Sequence, residues 1–301
     1  LQPEADGLPN YVASAYEKVQ DLRYGENWHQ RAALYTNDQG LGLPAARKLN
    51  GREMSYNNMV DAETVLEMLI DLSEYDGEAC NRPLSFGGVI GFNRMVDVKT
   101  AQCIGDSFVE VLLAPGYEAE ALRLLTEKKP NRRILDIGDL LQRKGELYRG
   151  YYKKTIFGGM MLQDFDTGDI KEWRVVTRRA PTDSEARALR FAWKIAKYVK
   201  SNALVYTTEN QTIGIGSGQV SRVDSARFGA EKAEEHGLST NGTVAATDSF
   251  FPFRDGLDQA FLAGATAVIH PGGSIRDSEV IDAANEHDMA MVFTGIRHLR
   301  H

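Results

Sequence analysis

Cysteine is scarce: Cys80 and Cys103 are the only two in 301 residues. That excludes a disulfide-stapled secreted scaffold, and the pair lacks the spacing of a zinc site. Long apolar runs are also missing, since nothing approaches the ~18 residues that a membrane span needs. The opening Leu1-Gln2-Pro3-Glu4-Ala5-Asp6 has neither the basic start nor the apolar core of a signal peptide, so a cytoplasmic location is the expectation. Positive charge is in deficit, with 35 Lys and Arg against 42 Asp and Glu and a net charge of −7, which leans away from nucleic acid as a partner. An acidic chain still holds an anion where Arg and Lys gather in one cleft, so phosphate ligands stay open. No low-complexity tract and no solenoid-type repeat interrupts the chain.

What is present is a 43% hydrophobic content, ample for a sizeable core, in a length that suggests two domains. Val65, Leu66, Leu69 and Ile70 give residues 61–71 a helical period, and Val109 to Ala114 before Pro115-Gly116 reads as a buried strand. Residues 118–128 read as a further helix. The polar stretch 139–154, interrupted by Gly145 and Gly150, places a boundary between domains 1–150 and 151–301. In the second half, Thr182-Asp183-Ser184-Glu185 has the form of a capping box, followed by Leu189, Ala192, Trp193, Ala196 and Val199 on one face. Strands at 203–206, 266–269 and 289–293 alternate with helices at 221–236 and 276–287, the first of these closed by Gly237. Alternation of this kind predicts layered α/β domains.

Four segments invite a functional reading, each beside a plainer one. Gly214-Ile215-Gly216-Ser217-Gly218 lacks the G-x-G-x-x-G spacing of a dinucleotide loop; its glycines admit a ligand to the backbone or simply make a turn. Pro271-Gly272-Gly273-Ser274 lies between a strand and a helix, where an anion site and an ordinary βα turn look alike. Phe250-Phe251-Pro252-Phe253 suits either core packing or stacking on a planar heterocycle, with Asp248 or Asp255 as polar partner. Arg23, in Leu22-Arg23-Tyr24-Gly25-Glu26, offers a fork for a phosphate or an ordinary ion pair with Glu26. His298 and His301 without a third partner do not make a metal site, and no zinc is expected.

Taken in order, residues 22–30, Leu49-Asn50-Gly51 with Met54-Ser55-Tyr56-Asn57-Asn58, Ser85-Phe86-Gly87-Gly88, Val199-Lys200-Ser201-Asn202, 212–222, 248–255, 271–276 and the terminal Arg297-His298-Leu299-Arg300-His301 resemble the transformylase part of the bifunctional AICAR transformylase/IMP cyclohydrolase family. The resemblance implies two related three-layer α/β/α subdomains of the cytidine-deaminase-like type, without zinc, and a homodimer with shared active sites. It implies formyl transfer from 10-formyltetrahydrofolate to the 5-amino group of AICAR, giving formyl-AICAR, in purine biosynthesis. No segment resembles the cyclohydrolase domain. By motif position it assigns Arg23, Tyr24, Asn50, Gly87, Glu110, Asn202, Phe250 and Arg297 to AICAR, with Asn202 orienting the reacting amine. Arg222, Val223, Asp255, Gly272 and Gly273 fall to the folate. A potassium ion near the carboxyl end is left open.

One departure matters. The family carries a Lys-His pair, then Pro and Gly, between the helix after Asn58 and the Ser-Phe-Gly-Gly loop; here the interval reads Glu78-Ala79-Cys80-Asn81-Arg82-Pro83-Leu84-Ser85, and no Lys adjoins a His anywhere. Such a pair would supply the base and acid for transfer from an amine deactivated by its carboxamide neighbour. Either roughly thirty residues, a strand and loop, belong between Cys80 and Asn81, or a deletion has left an inactive homologue that binds AICAR or folate. Intact binding segments on both sides favour the first.

Overall fold

The computed structural model describes residues 7–37, 39–75 and 88–301. The chain divides into two units, Leu1–Phe165 and Asp166–His301, each of mixed α/β type. In the first unit β1 (Glu17–Leu22) and β2 (Ala32–Thr36) form an antiparallel ribbon. There follow β3 (Arg47–Asn50), α1 (Tyr56–Asp71), β4 (Gly88–Gly91), α2 (Val98–Ile104), β5 (Val109–Ala114), α3 (Ala119–Glu127) and β6 (Arg133–Asp136). Their sheet runs β3-β6-β5-β4, with β4, β5 and β6 parallel and β3 antiparallel at the edge.

Period-two alternation along β5 explains the layering. Val111 and Leu113 meet Ala62, Leu66, Leu69 and Ile70 of α1 on one face, while Leu112 and Ala114 meet Ala101 and Ile104 of α2 and Ala121 and Leu125 of α3 on the other. A strand covered on both faces reads as one apolar run, which is why Val109–Ala114 is legible in the sequence. The helix expected over 61–71 begins earlier, at Tyr56, because Ser55 and Asn58 cap it reciprocally. After the short α4 (Lys144–Leu147), β7 (Tyr152–Ile156) and β8 (Gly159–Gln163) make a second ribbon. Phe165 stands edge-on to Tyr148 and Tyr152, at 5.4 and 6.2 Å, so the ribbon stays with the first unit and the division falls after Phe165 rather than after residue 150.

The second unit contains β9 (Arg174–Val175), α5 (Asp183–Ala196), β10 (Leu204–Thr207), β11 (Thr212–Gly216), α6 (Arg222–Glu235), β12 (Val244–Thr247), α7 (Asp255–Leu262), β13 (Ala267–His270), α8 (Asp277–Glu286) and β14 (Ala290–Phe293). The sheet order is β11-β10-β12-β13-β14-β9, with β12, β13 and β14 parallel and the others antiparallel. Leu204, Tyr206, Ala245, Val268, Met291 and Phe293 turn toward α6, α7 and α8, and α5 covers the opposite face. The expected capping box is present: Glu185 N–H donates to Thr182 Oγ1 at 3.2 Å and Thr182 N–H to Glu185 Oε2 at 2.8 Å. Among the described residues no helix is long and apolar enough to cross a membrane.

Candidate functional site

The first unit presents its site residues at strand ends. Arg23 and Tyr24 follow β1 in a loop closed by Gly25 N–H to Gln30 O at 2.8 Å and Gln30 N–H to Asn27 O at 3.0 Å. Asn57 Nδ2 ties that loop to α1 by donating to Glu26 O at 3.4 Å. Arg23 is exposed, its guanidinium 5.7 Å from the Tyr24 ring centroid. The plainer expectation, a pair with Glu26, is not realised: Arg23 makes no ion pair with a described residue. Asn50 ends β3, and its Nδ2 donates to Arg132 O at 2.8 Å and Pro130 O at 3.3 Å, so its Oδ1 is left to accept. Glu110, on β5, takes Asn58 Nδ2 at 3.1 Å and lies 3.6 Å from Arg133 Nη1. Gly87, Cys80 and Asn81 lie outside the described residues.

In the second unit, Asn202 is clamped between two carbonyls, its Nδ2 donating to Gln219 O at 2.9 Å and Val220 O at 3.3 Å, while Ser225 Oγ donates to its backbone oxygen at 2.6 Å. Both amide protons are thereby used, and Oδ1 is the remaining acceptor. Arg222 opens α6 and is committed inside the fold: Nε donates to Thr247 Oγ1 and one Nη to Asp248 Oδ1, both at 2.8 Å, with Asp248 fully buried. Asp248 is therefore no outward partner for a heterocycle; its Oδ2 is buried and has no hydrogen-bond partner among the described residues. Asp255 is the exposed one of the two, using Oδ1 on Gly256 N–H at 2.7 Å, while Oδ2 has no partner among the described residues. Val223 and Phe250 are half-buried, Phe251 is core at 1% exposure, and Phe253 lies under Arg276 at 4.8 Å. Arg297 is exposed, with no ion pair to a described residue.

Two glycine segments take the plainer reading. Gly214 and Gly216 lie on β11 where α6 crosses: a Cβ would meet Gly229 O at 2.2 Å and Ser225 O at 1.9 Å, so a helix, not a ligand, requires their bareness. At 271–274 the amides of Gly273 and Ser274 already donate to Asp277 Oδ2 and Oδ1, at 2.7 and 3.0 Å, so the anion expected there is the chain's own carboxylate. Gly272 has φ +71° and backs onto the Phe293 ring, where a Cβ would approach within 2.4 Å. Its N–H donates to Nδ1 of His270 at 3.2 Å.

His270, Asn58 and Arg133 were not singled out by the sequence. Nδ1 of His270 accepts, so its proton is on Nε2, 3.4 Å from Met291 Sδ. Desolvation, reinforced by the Arg222 charge, pushes this imidazole down to about 3. A histidine ending an apolar strand gives no warning of this. Asn58 was visible as the third residue after Ser55, the capping-box position, with Asn in place of the usual Glu or Gln.

The family model described as the AICARFT/IMPCHase bienzyme matches residues 1–82 and 75–232. The bifunctional purine biosynthesis protein PurH of Acidithiobacillus ferrooxidans is 44% identical over 322 residues, which cover 98% of this chain and 61% of that protein. PurH of Persephonella marina is 44% identical over 324 residues, covering 98% and 62%. The chain thus spans about three fifths of the length of these curated relatives. A 322-position alignment covering 98% of 301 residues leaves about 27 positions of the relative without a counterpart here, and the two matched blocks meet at 75–82. By its family match and by these identities, the chain belongs to the AICARFT/IMPCHase bienzyme family.

Proposed function

We propose that this chain carries the transformylase step of purine biosynthesis, transferring the formyl group of 10-formyltetrahydrofolate to the 5-amino group of AICAR, on two subdomains of the cytidine-deaminase-like type. The amine lone pair attacks the formyl carbon, the N10–C bond of the folate breaks, one proton leaves the amine and one reaches N10. Asn202 carries this reading. Its amide protons are held by Gln219 O and Val220 O, so its Oδ1 faces an incoming N–H donor and orients a weak aromatic amine, as the family position of this residue implies. Exposed Arg23 and Arg297 supply positive charge for the ribosyl phosphate in a chain of net charge −7. Tyr24, Asn50, Gly87, Glu110 and Phe250 complete the AICAR side. Val223, the Asp255 oxygen that no described residue engages and the Gly272-Gly273 carbonyls serve the folate, the two glycine N–H groups being held by His270 and Asp277, and Arg222 acts there through its bond to Asp248 rather than as a free fork. The protein works as a cytoplasmic homodimer with shared sites, without zinc; potassium dependence is a further property to assay.

The proton shuttles are assigned to a Lys-His pair in a segment of roughly thirty residues between Cys80 and Asn81, in keeping with the unmatched positions of the relatives and typical unit lengths. The sequence as it stands has no such pair, which favours one second reading: a homologue that binds AICAR or folate without turnover. Release of tetrahydrofolate, assayed beside calorimetric titration with AICAR, separates the two. Transfer with binding supports the first, binding without transfer the second, and wild-type protein that takes up neither AICAR nor, in a parallel titration, tetrahydrofolate ends both. Arg23→Ala is expected to weaken AICAR binding about tenfold or more through loss of a charge-assisted contact while leaving folate affinity in place; equal loss of both removes Arg23 from the phosphate.

A further inference from the structure

We propose that Asn58 and Arg133 are positioning residues that aim the Glu110 carboxylate at an N–H donor of AICAR; this rests on the AICAR-binding reading of the same site. Asn58 is 6% exposed and cannot turn over, because its Oδ1 accepts Ser55 N–H at 3.3 Å and its own backbone N–H is held by Ser55 Oγ at 3.1 Å. The capping box therefore fixes Nδ2 toward Glu110 Oε2, 3.1 Å away. Arg133 approaches the same oxygen at 3.6 Å and is aligned by donating Nε–H to Glu53 O at 2.8 Å. Both neighbours engage one oxygen. Oε1 accepts from no described residue, and the side chain is 37% exposed.

The second unit shows what a purely architectural version looks like. There the capping-box residue Glu185 likewise ties its helix to the start of the middle parallel strand, through Thr266 Oγ at 2.7 Å. It also takes Thr182 N–H and both arms of Arg179 at 2.8 Å, at 13% side-chain exposure. Every valence of that carboxylate is satisfied within the fold. At the matching place in the first unit the network ends instead on a carboxylate oxygen turned loose, held from behind by an amide and a guanidinium. A neutral donor such as an amine or carboxamide N–H fits it.

Asn58→Asp tests the assignment, since it keeps the Oδ1 that caps α1 but replaces the donor facing Glu110 with an acceptor. In calorimetric titrations at pH 8, AICAR affinity should fall roughly tenfold to a hundredfold, the value of a hydrogen bond to a charged group, with tetrahydrofolate affinity unchanged. Two facing carboxylates share a proton as pH falls, so the introduced carboxyl group, once protonated, regains a donor and the ratio of variant to wild-type affinity should recover toward 1 by pH 5.5. A merely structural role would lower thermal stability without that recovery. Should Asn58→Asp fail to fold, Arg133→Gln reads the same carboxylate from the other side and should weaken AICAR alone. Wild-type protein that does not bind AICAR overturns the functional reading itself. Wild-type binding with a flat, unchanged ratio in the variants, or a Glu110→Gln variant that binds normally, overturns the positioning proposal and leaves the functional reading standing.

Discussion

His270 shows how one side chain makes stability depend on pH. Its ring is fully buried between Phe251 and Phe293, at 5.3 and 4.6 Å, and burial together with the Arg222 charge pushes it from 6.5 down to about 3. Between those values the unfolded chain binds a proton that the folded chain refuses, so the contribution is complete above pH 6.5 and is lost as pH falls toward 3. The slope is about 1.4 kcal/mol per pH unit, or roughly 2 kcal/mol between pH 6.5 and 5. His270→Gln keeps an acceptor for Gly272 N–H and removes the titration. The difference in unfolding free energy between wild type and variant, measured in urea at pH 7.5 and pH 5, should shrink by that amount; a pH-independent difference refutes the assignment. Glu185 shifts in the same sense but in a lower pH window. Burial alone would raise it, but the Arg179 fork, Thr182 N–H and the Thr266 hydroxyl outweigh burial and hold it at about 2. Its contribution is present above 4.5 and lost only as pH falls through 2. Acid loss near pH 5 to 6 therefore belongs to His270, not to Glu185.

Among the elements, the contact of α6 with β11 is the least forgiving. Gly216 and Gly214 touch backbone carbonyls of α6, whereas Gly218, two residues on, has φ +65° but only the Lys200 side chain near its missing Cβ, at 3.8 Å. Gly216→Ala drives a methyl into Ser225 O and should cost about 3 kcal/mol or more, the range of severe overpacking. Gly218→Ala carries only left-handed backbone strain, about 1 kcal/mol. Chemical denaturation of the two variants checks the ranking, and equal losses would refute it. The sequence could say that these glycines admit something close, but not what; a local pattern does not identify the approaching element. α5 was legible because its cap and its apolar stripe are both local signals, and β5 because helices cover both faces. β7, exposed along its whole length, and β9, two residues long, carry no burial pattern to read. At Ser274-Ile275-Arg276-Asp277 the local signal is present: a Ser-x-x-Asp pattern before a helix predicts that the Asp takes the loop amides an anion would want, as it does. For the site, residue types and order were legible, while the inward commitment of Arg222 and the burial of Asp248 depend on strand partners 25 and 26 residues away.

At the scale of the whole molecule, the two units repeat one arrangement. In the first, an antiparallel edge strand, a helix, then strand-helix-strand-helix-strand in parallel give β3, α1, β4, α2, β5, α3 and β6; in the second, β9, α5, β12, α7, β13, α8 and β14 follow the same order and sheet positions. The difference is one insertion. Between α5 and β12 the second unit spends residues 197–243 on β10, β11 and α6, whereas between α1 and β4 the first has only residues 72–87. The shortfall of 31 residues stands close to the about 27 positions of the A. ferrooxidans relative that have no counterpart here, and it falls where the two matched family blocks meet. In the second unit that insertion pairs β10 beside β12, so among the described residues β4 is the strand whose equivalent partner is missing. The internal repeat places the shortfall between α1 and β4, the family blocks meet inside that interval, and the alignment surplus is close to it in size, in keeping with the segment proposed above between Cys80 and Asn81. The natural protein should therefore carry about 3 kDa of additional sequence between Cys80 and Asn81, at the mean residue mass these residues define, and tandem mass spectrometry should find no tryptic peptide running from Cys80 directly into Asn81. On the proposed transformylase reading, protein carrying that added segment should release tetrahydrofolate when given AICAR and 10-formyltetrahydrofolate, because its acid and base are then in place. A peptide that joins Cys80 directly to Asn81 instead leaves, on the proposed reading, a chain able to hold AICAR while losing ~10²–10⁴-fold in rate for each missing proton-transfer group.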